Sequence, residues 1–349
     1  MAALLLGSFI ISAVITPLIL RLAHRFNWYD RIDHRKIHTE DTPRLGGVGI
    51  VVSFAVSIFV ALAIWSPLDH ASFLQPPTFL FVLGGLGLIH LLGLYDDFRN
   101  LPAPFKFIIQ LVAAALPVLG GLTVQHVAMP GLGIITLPLG AAIPVTIFWI
   151  VAVANATNLI DGADGLAGGV AAIAVFFMGL ISFSEGGLLA AFFAAAMVGS
   201  VAGFLLYNTP PAQIFMGDGG SLSVGFLLAV IPLLGFSVEN SPAVRVIPIL
   251  PVITLLFIPI ADTSMAILRR MYRGKPVHSP DREHLHHRLI DIGCSGNRLL
   301  AVAYSTAVVL GLAALSWFTL PAGLSTIIMV SVWVLLVAAA ILLGRYQHK

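Results

Sequence analysis

The sequence predicts an all-α polytopic membrane protein with about 11 transmembrane helices, and three observations carry that reading. Of 349 residues, 58% are hydrophobic and only 10% charged, with a mean hydropathy of +1.00; a soluble domain carries about 25% charged residues. The apolar residues gather into runs close to the roughly 20 residues that a helix needs to cross a bilayer. Basic residues cluster in alternate segments between those runs, as the positive-inside rule requires. A net charge of +2 leaves no broad basic face, which excludes a nucleic-acid binder. Cys294 is the single cysteine, so neither a disulfide framework nor a thiolate metal cluster is available.

The first run, about 3–22, has no Lys or Arg before it, and the first basic residue is Arg21. A signal peptide carries its positive charge ahead of its apolar core, so this segment is expected to be a retained helix with its N-terminus outside. Further spans fall at about 46–65, 78–95, 103–120, 139–157, 165–183, 186–206, 219–237, 243–268, 298–318 and 322–343. The stretch Leu122–Pro138 mixes β-branched residues, Gly and Pro, and is expected to form a short hairpin on one face. No fixed-period repeat or low-complexity linker divides the chain, which reads as one membrane domain over 1–349. With eleven spans the inner segments are 23–45, 96–102, 158–164, 207–218, 269–297 and a cytoplasmic C-terminus. Of the 18 Lys and Arg residues only Arg245 then lies outside. Of the 16 acidic residues, 13 also lie inside. Asp and Glu contribute little to topology, so this second bias points to an active surface on the cytoplasmic face.

Four polar stretches interrupt the apolar pattern on that face. The loop with His38 and Arg44-Leu45-Gly46-Gly47 reads either as an anchor on anionic headgroups or as a phosphate-binding loop. Asp96 and Asp97 end the third span, with Lys106 shortly after. Adjacent carboxylates there repel each other and lose hydration unless a cation or proton compensates; a solvated helix end is the plainer alternative. The run from Asn155 to Ala167 places Asn155, Asn158, Asp161 and Asp164 at three-residue intervals, on one helical face. Its spacing is wrong for an EF-hand loop, and it suits a polar site for Mg²⁺ or a nucleotide. Asn208 follows, and then Phe215-Met216-Gly217-Asp218-Gly219-Gly220, where Asp218 is either a helix cap or a ligand beside a closely approaching backbone.

The last inner loop holds Arg282, His284, His286, His287 and Arg288. On a helix His284 and His287 share a face while His286 points away, and no cysteine completes a zinc site. The flanking arginines favour a clamp on phosphate oxygens. Asp262, an acid inside the ninth span, has Arg269 or Arg270 as candidate partners. Gly199 and Gly203 form a G-x-x-x-G read as close helix packing. There is no P-loop and no dinucleotide-binding glycine motif. A cation-coupled transporter would place its acids near the bilayer midplane, whereas here they gather at one face and only His90 is notable at mid-span.

Asp96-Asp97, the Asn155 to Ala167 run, Phe215 to Asp218 and His284-x-His286-His287 together resemble the polyprenyl-phosphate N-acetylhexosamine-1-phosphate transferases. The match runs from about residue 33 to 291 in the family's order, and the last two spans share only topology. The Asp281-Arg282-Glu283-His284-Leu285-His286-His287 form is similar to the WecA/TagO branch, which uses UDP-N-acetylglucosamine; the phospho-MurNAc-pentapeptide translocases carry a different histidine motif. The resemblance implies attack of undecaprenyl phosphate on the β-phosphate of the UDP-sugar, giving polyprenyl-diphospho-sugar and UMP. It implies Mg²⁺, with Mn²⁺ as the substitute, a homodimer, and a place in the bacterial inner membrane. By motif, Asp218 is the main metal ligand, assisted by Asn158 and Asp97. Catalytic roles fall to Asp96, Asp97, Asp161, His284, His286 and His287. Substrate contacts fall to Lys106, Asp164, Phe215, Asn155, Asn208, Arg282, Arg44 and His38. Another UDP-N-acetylhexosamine donor, or UDP-MurNAc-pentapeptide, is the alternative within the family.

Overall fold

The computed structural model describes residues 1–28, 42–65, 76–235, 246–274 and 284–346. His38 and Arg282 lie outside them. The helices are α1 (Ala2–Phe26), α2 (Gly46–Trp65), α3 (Pro76–Arg99), α4 (Ala103–Leu119), α5 (Leu139–Ile160), α6 (Leu166–Ser184), α7 (Leu188–Asn208), α8 (Gly217–Gly235), α9 (Ile249–Leu255), α10 (Phe257–Tyr272), α11 (Leu285–Asp291), α12 (Asn297–Thr319) and α13 (Ala322–Tyr346). Among the described residues nine helices are long and apolar enough to cross a membrane, and α9 with α10 makes a tenth if that bent pair is one span. The segment expected at 103–120 is α4, whose 17 residues extend only about 26 Å, short of a hydrocarbon core of about 30 Å.

The segment expected as one continuous span at 243–268 is broken instead, with α9 and α10 meeting at 82°. Pro259 supplies the reason. It has no N–H to donate to the carbonyl of Leu255 and is accommodated in the first turn of a new helix, where that donor is not required. The expected hairpin is present as β1 (His126–Met129) and β2 (Gly133–Thr136), paired antiparallel. A third strand, β3 (Val246–Pro248), pairs parallel with β1 to give the order β2-β1-β3.

α8 is the centre of the bundle, with every residue from Gly219 to Gly235 buried. A helix apolar on all sides is one enclosed by others, and α8 is packed by α3, α5, α2, α6 and α7. On the far side, Gly199 and Gly203 bring α7 against the backbone of α1 at Leu5 and Phe9, and Ser12 Oγ donates to Ser200 O at 2.6 Å. The G-x-x-x-G is a packing seam. Because α8 is fixed by so many neighbours, so is whatever stands at its N-terminus.

Candidate active site

Two close approaches set the site. Gly93 of α3 lies against the carbonyl of Asp218, where a Cβ would collide with it. Gly217 begins α8 with φ +73°, a conformation that favours glycine, and any side chain there would strike the Asp97 carboxylate. That carboxylate accepts the Asp218 N–H at 2.9 Å and the Gly219 N–H at 3.0 Å. Asp97 therefore satisfies two of the unpaired N–H groups that every helix start leaves, and the Asp218 side chain is not its own helix's cap. Buried His90, on α3, has Nδ1 3.0 Å from the Gly219 carbonyl, holding the same turn from its other side.

The loop before α2 closes over this turn through backbone bonds. Phe215 N–H donates to Pro43 O at 2.8 Å, Gly46 N–H to Phe215 O at 2.9 Å, and Gly47 N–H to Met216 O at 2.9 Å. Gly46-Gly47 thus permits close approach of α2 to α8, and Arg44 is brought near enough to act electrostatically on Asp97 and Asp161.

Asp96 faces the other way. Its Oδ1 accepts the Leu101 N–H at 2.6 Å, across the left-handed turn at Asn100, and its Oδ2 accepts from Lys106 Nζ at 2.6 Å. Lys106 Nζ is 3.7 Å from Asp218 Oδ2, and the Asp96 and Asp218 carboxyls are themselves within hydrogen-bonding reach. Asn158 Nδ2 donates to Asp218 Oδ1 at 3.1 Å and to Ser221 Oγ at 2.8 Å. Asp161, just past the end of α5, is pushed up to about 7, by burial first and then by the negative charge of Asp218 and Asp97. Carboxylates and an amide brought this close are the kind of groups a hard divalent cation takes. The Asn158 amide turns its nitrogen rather than its oxygen to Asp218, and among the described residues no three histidine, cysteine or acidic side chains converge to hold such an ion.

The remaining predicted residues separate into neighbouring groups. Asn155 and Asn158 address different helices, because three residues on a helix turn the side chain by about 60°. Asn155 Nδ2 donates to Gln110 Oε1 of α4 at 2.7 Å, while Asn158 turns to α8. Asp164 accepts the Ala212 N–H at 3.0 Å. Asn208 is buried, accepting the Gly165 N–H at 3.0 Å and donating to Ile214 O at 2.8 Å. Tyr304 Oη, from α12, donates to Gly165 O at 2.7 Å. Both backbone groups of Gly165 (φ +73°) are therefore held by side chains from other helices. Phe215 is half-buried between these brackets and the α2 loop.

The histidines depart from the helical-face expectation. His284 precedes α11 in extended conformation, and its ring is parallel to that of His286 at 5.9 Å. His286 in turn lies 4.2 Å from His287 and presses its Nε2 against Gly162, beside Asp161. Burial, followed by the neighbouring His287, lowers His286 to about 4, so the ring is neutral at ordinary pH. Asp262, expected beside Arg269 or Arg270, accepts from His284 Nδ1 at 2.7 Å. Sequence reasoning missed Gln110, Ser221 and Tyr304. Gln110 was visible as an amide inside an apolar run, whereas a serine and a tyrosine in membrane helices carry no comparable signal.

A bundle that crosses the membrane and gathers carboxylates, an amide and a lysine at the start of its central helix is a polytopic membrane transferase. The sequence profile of glycosyl transferase family 4 matches residues 79–236, from α3 to the end of α8, and the chain belongs to that family. It is 35% identical, over 86% of its length and 80% of the relative's, to a Bacillus subtilis protein named "Probable undecaprenyl-phosphate N-acetylglucosaminyl 1-phosphate transferase". It is 34% identical, over 84% of its length and 78% of the relative's, to the Mycobacterium leprae "Decaprenyl-phosphate N-acetylglucosaminephosphotransferase". A "Phospho-N-acetylmuramoyl-pentapeptide-transferase" of Halalkalibacterium halodurans is 32% identical over 82% of this chain and 88% of its own.

Proposed function

We propose that this protein transfers N-acetylglucosamine-1-phosphate from UDP-N-acetylglucosamine to a polyprenyl phosphate, undecaprenyl phosphate in the simplest case. The products are polyprenyl-diphospho-N-acetylglucosamine and UMP, the first membrane step of a cell-envelope glycan such as teichoic acid or O-antigen. The observation that carries the reading is Asp218, held by Asn158 and facing Asp96 with Lys106 beside both. In the reaction an acceptor phosphate oxygen forms a bond to the donor's β-phosphorus as the bond from that phosphorus to the bridging oxygen breaks, and UMP leaves with the electron pair. A phosphate monoester is largely ionised at neutral pH, its second pKa being about 6, so the nucleophile needs no general base. Both Asp96 oxygens are engaged, which suits a residue that orients Lys106. Direct displacement then needs charge compensation and alignment, and Lys106 and Arg44 supply the positive charge.

Carboxylates as close as Asp96 and Asp218, with Asp161 near, leave negative charge in excess of Lys106 and Arg44, and that fits a Mg²⁺ or Mn²⁺ ion. Asp218 and Asn158 would hold it, the amide turned to present its oxygen, and the ion would neutralise the charge of the donor diphosphate. Asp97, with both oxygens on backbone N–H groups, sets the position of Asp218. The histidine motif lies beside the Asp161 turn, where it would meet donor phosphates, and Phe215 and Asp164 border the space for the uracil. If the chain makes the eleven crossings read from its sequence, 17 of its 18 basic residues fall on the side of this site, which supports a cytoplasmic active face, with the N-terminus outside in a bacterial inner membrane. A homodimer is the assembly we carry forward.

The test is UMP release by purified protein given UDP-N-acetylglucosamine and undecaprenyl phosphate, with Mg²⁺ or EDTA, and with Asp218→Asn as control. Metal-dependent UMP and a lipid-linked sugar, both absent in the folded mutant, are expected. Near wild-type turnover in the mutant would remove the metal assignment. The 32% identity to a muramoyl-pentapeptide transferase keeps a second donor in view, and UMP release only with another UDP-sugar would decide for it.

A further inference from the structure

Asp262 stands in α10, six residues past the break in the bent span, and is only 2% exposed. Its two oxygens serve two adjacent residues of the histidine motif. Oδ2 accepts from His284 Nδ1 at 2.7 Å and Oδ1 accepts the Leu285 N–H at 2.7 Å. An ionised carboxylate only accepts, so Nδ1 of His284 is the donor in this contact and Nε2 is the ring nitrogen that the carboxylate leaves unoccupied. The same carboxylate provides for the first N–H of α11. From His284 the arrangement continues through parallel rings to His286 and through His286 to Gly162, next to Asp161. The direction of the motif is thus determined from within the bent span.

We propose that Asp262 is a positioning residue for the transfer reaction, acting through His284. It fixes the tautomer and orientation in which His284 presents Nε2 towards the phosphate-bearing substrates, and it does not itself touch them. For its activity arm this rests on the transferase reading above. A carboxylate that only capped α11 would give the same two bonds, so the test has to separate capping from action through the ring.

A double-mutant cycle does so. Asp262→Asn keeps the shape and an acceptor for the Leu285 N–H but cannot orient His284 as a carboxylate does; His284→Ala removes the ring. Each single variant is expected to lower kcat by about tenfold or more with little change in KM for the UDP-sugar. The double variant is expected to be no slower than His284→Ala alone. Losses that multiply in the double variant, or wild-type kcat in Asp262→Asn, overturn the proposal. If Asp262→Asn is not recovered folded, Asp262→Ser, which also retains an acceptor, takes its place in the cycle. A second readout is independent of turnover: the ¹⁵N spectrum of histidine-labelled protein. The Nδ1–H resonance that His284→Ala removes should move in the Asp262 variant, and an unmoved resonance overturns the pairing. Silence of the wild-type enzyme with every UDP-sugar would defeat the transferase reading, and with it the positioning role proposed for Asp262 in that reaction. The ¹⁵N result would still decide the pairing.

Discussion

The Asp97 carboxylate accepts the backbone N–H of Asp218, so the second acid of the adjacent pair holds the start of the helix from which the Asp218 side chain projects. This relationship separates positioning from ligation in a measurable way. Asp97→Asn leaves one acceptor oxygen for two N–H groups at a helix start, a cost of about 1 kcal/mol in stability. Turnover should fall, while the Mg²⁺ concentration for half-maximal activity stays near the wild-type value. A large rise in that concentration would show Asp97 to be a ligand.

Lys106 is expected to affect turnover and metal affinity in opposite directions. It neutralises part of the charge on Asp96 and Asp218, at 2.6 and 3.7 Å. Lys106→Gln therefore leaves the carboxylates more negative and should tighten Mg²⁺ binding several-fold. The same change removes a cation from the developing diphosphate, where loss of one such group costs about 100-fold in kcat. Isothermal titration with Mg²⁺ alone, beside steady-state rates, reads both. Weaker metal binding in the variant would contradict the arrangement.

The apolar runs were legible because composition alone forces them into helices in a bilayer, and a close-packing face on α7 because two glycines at a four-residue interval leave room for a backbone, though not that the backbone would be that of α1. The break at Leu256 was less legible: the residues around it are uniformly apolar, and Pro259 gives no sign of whether it kinks a span or divides it. Adjacent Asp96 and Asp97 cannot be assigned separate tasks from sequence. Which one meets the start of α8 depends on how α3 crosses it, and that is set by Gly93 against Asp218. The reading that put His284 and His287 on one helical face, with His286 pointing away, failed because α11 begins only at Leu285, leaving His284 on extended chain. Its partner Asp262 is 22 residues earlier, a separation over which helical periodicity says nothing.

Tyr304 tests whether a span without motif residues supports the motif. Its hydroxyl donates to Gly165 O, while Asn208 accepts the Gly165 N–H. Tyr304→Phe should lower stability by about 1 kcal/mol, the usual worth of one hydrogen bond. Asn208→Ala should cost more, because it leaves both the Gly165 N–H and the Ile214 carbonyl without that partner. Thermal unfolding in detergent compares the two; an unaltered midpoint in Asn208→Ala would show the bracket to be dispensable.

His286 makes the fold sensitive to acid. Burial lowers its pKa to about 4, from 6.5 in the unfolded chain. Between those values the unfolded state binds a proton that the native state does not, so stability rises with pH across that window. The contribution is complete above about pH 6.5 and is lost as the pH falls towards 4, below which both states are protonated. His286→Leu removes the titrating group and should flatten this part of the profile, whatever its effect on stability at neutral pH. The measurement is the unfolding midpoint of both proteins between pH 4.5 and 7.5, a range on the order of the shift itself. Parallel profiles would mean that His286 is solvated in the native protein, and that its ring does not press against Gly162.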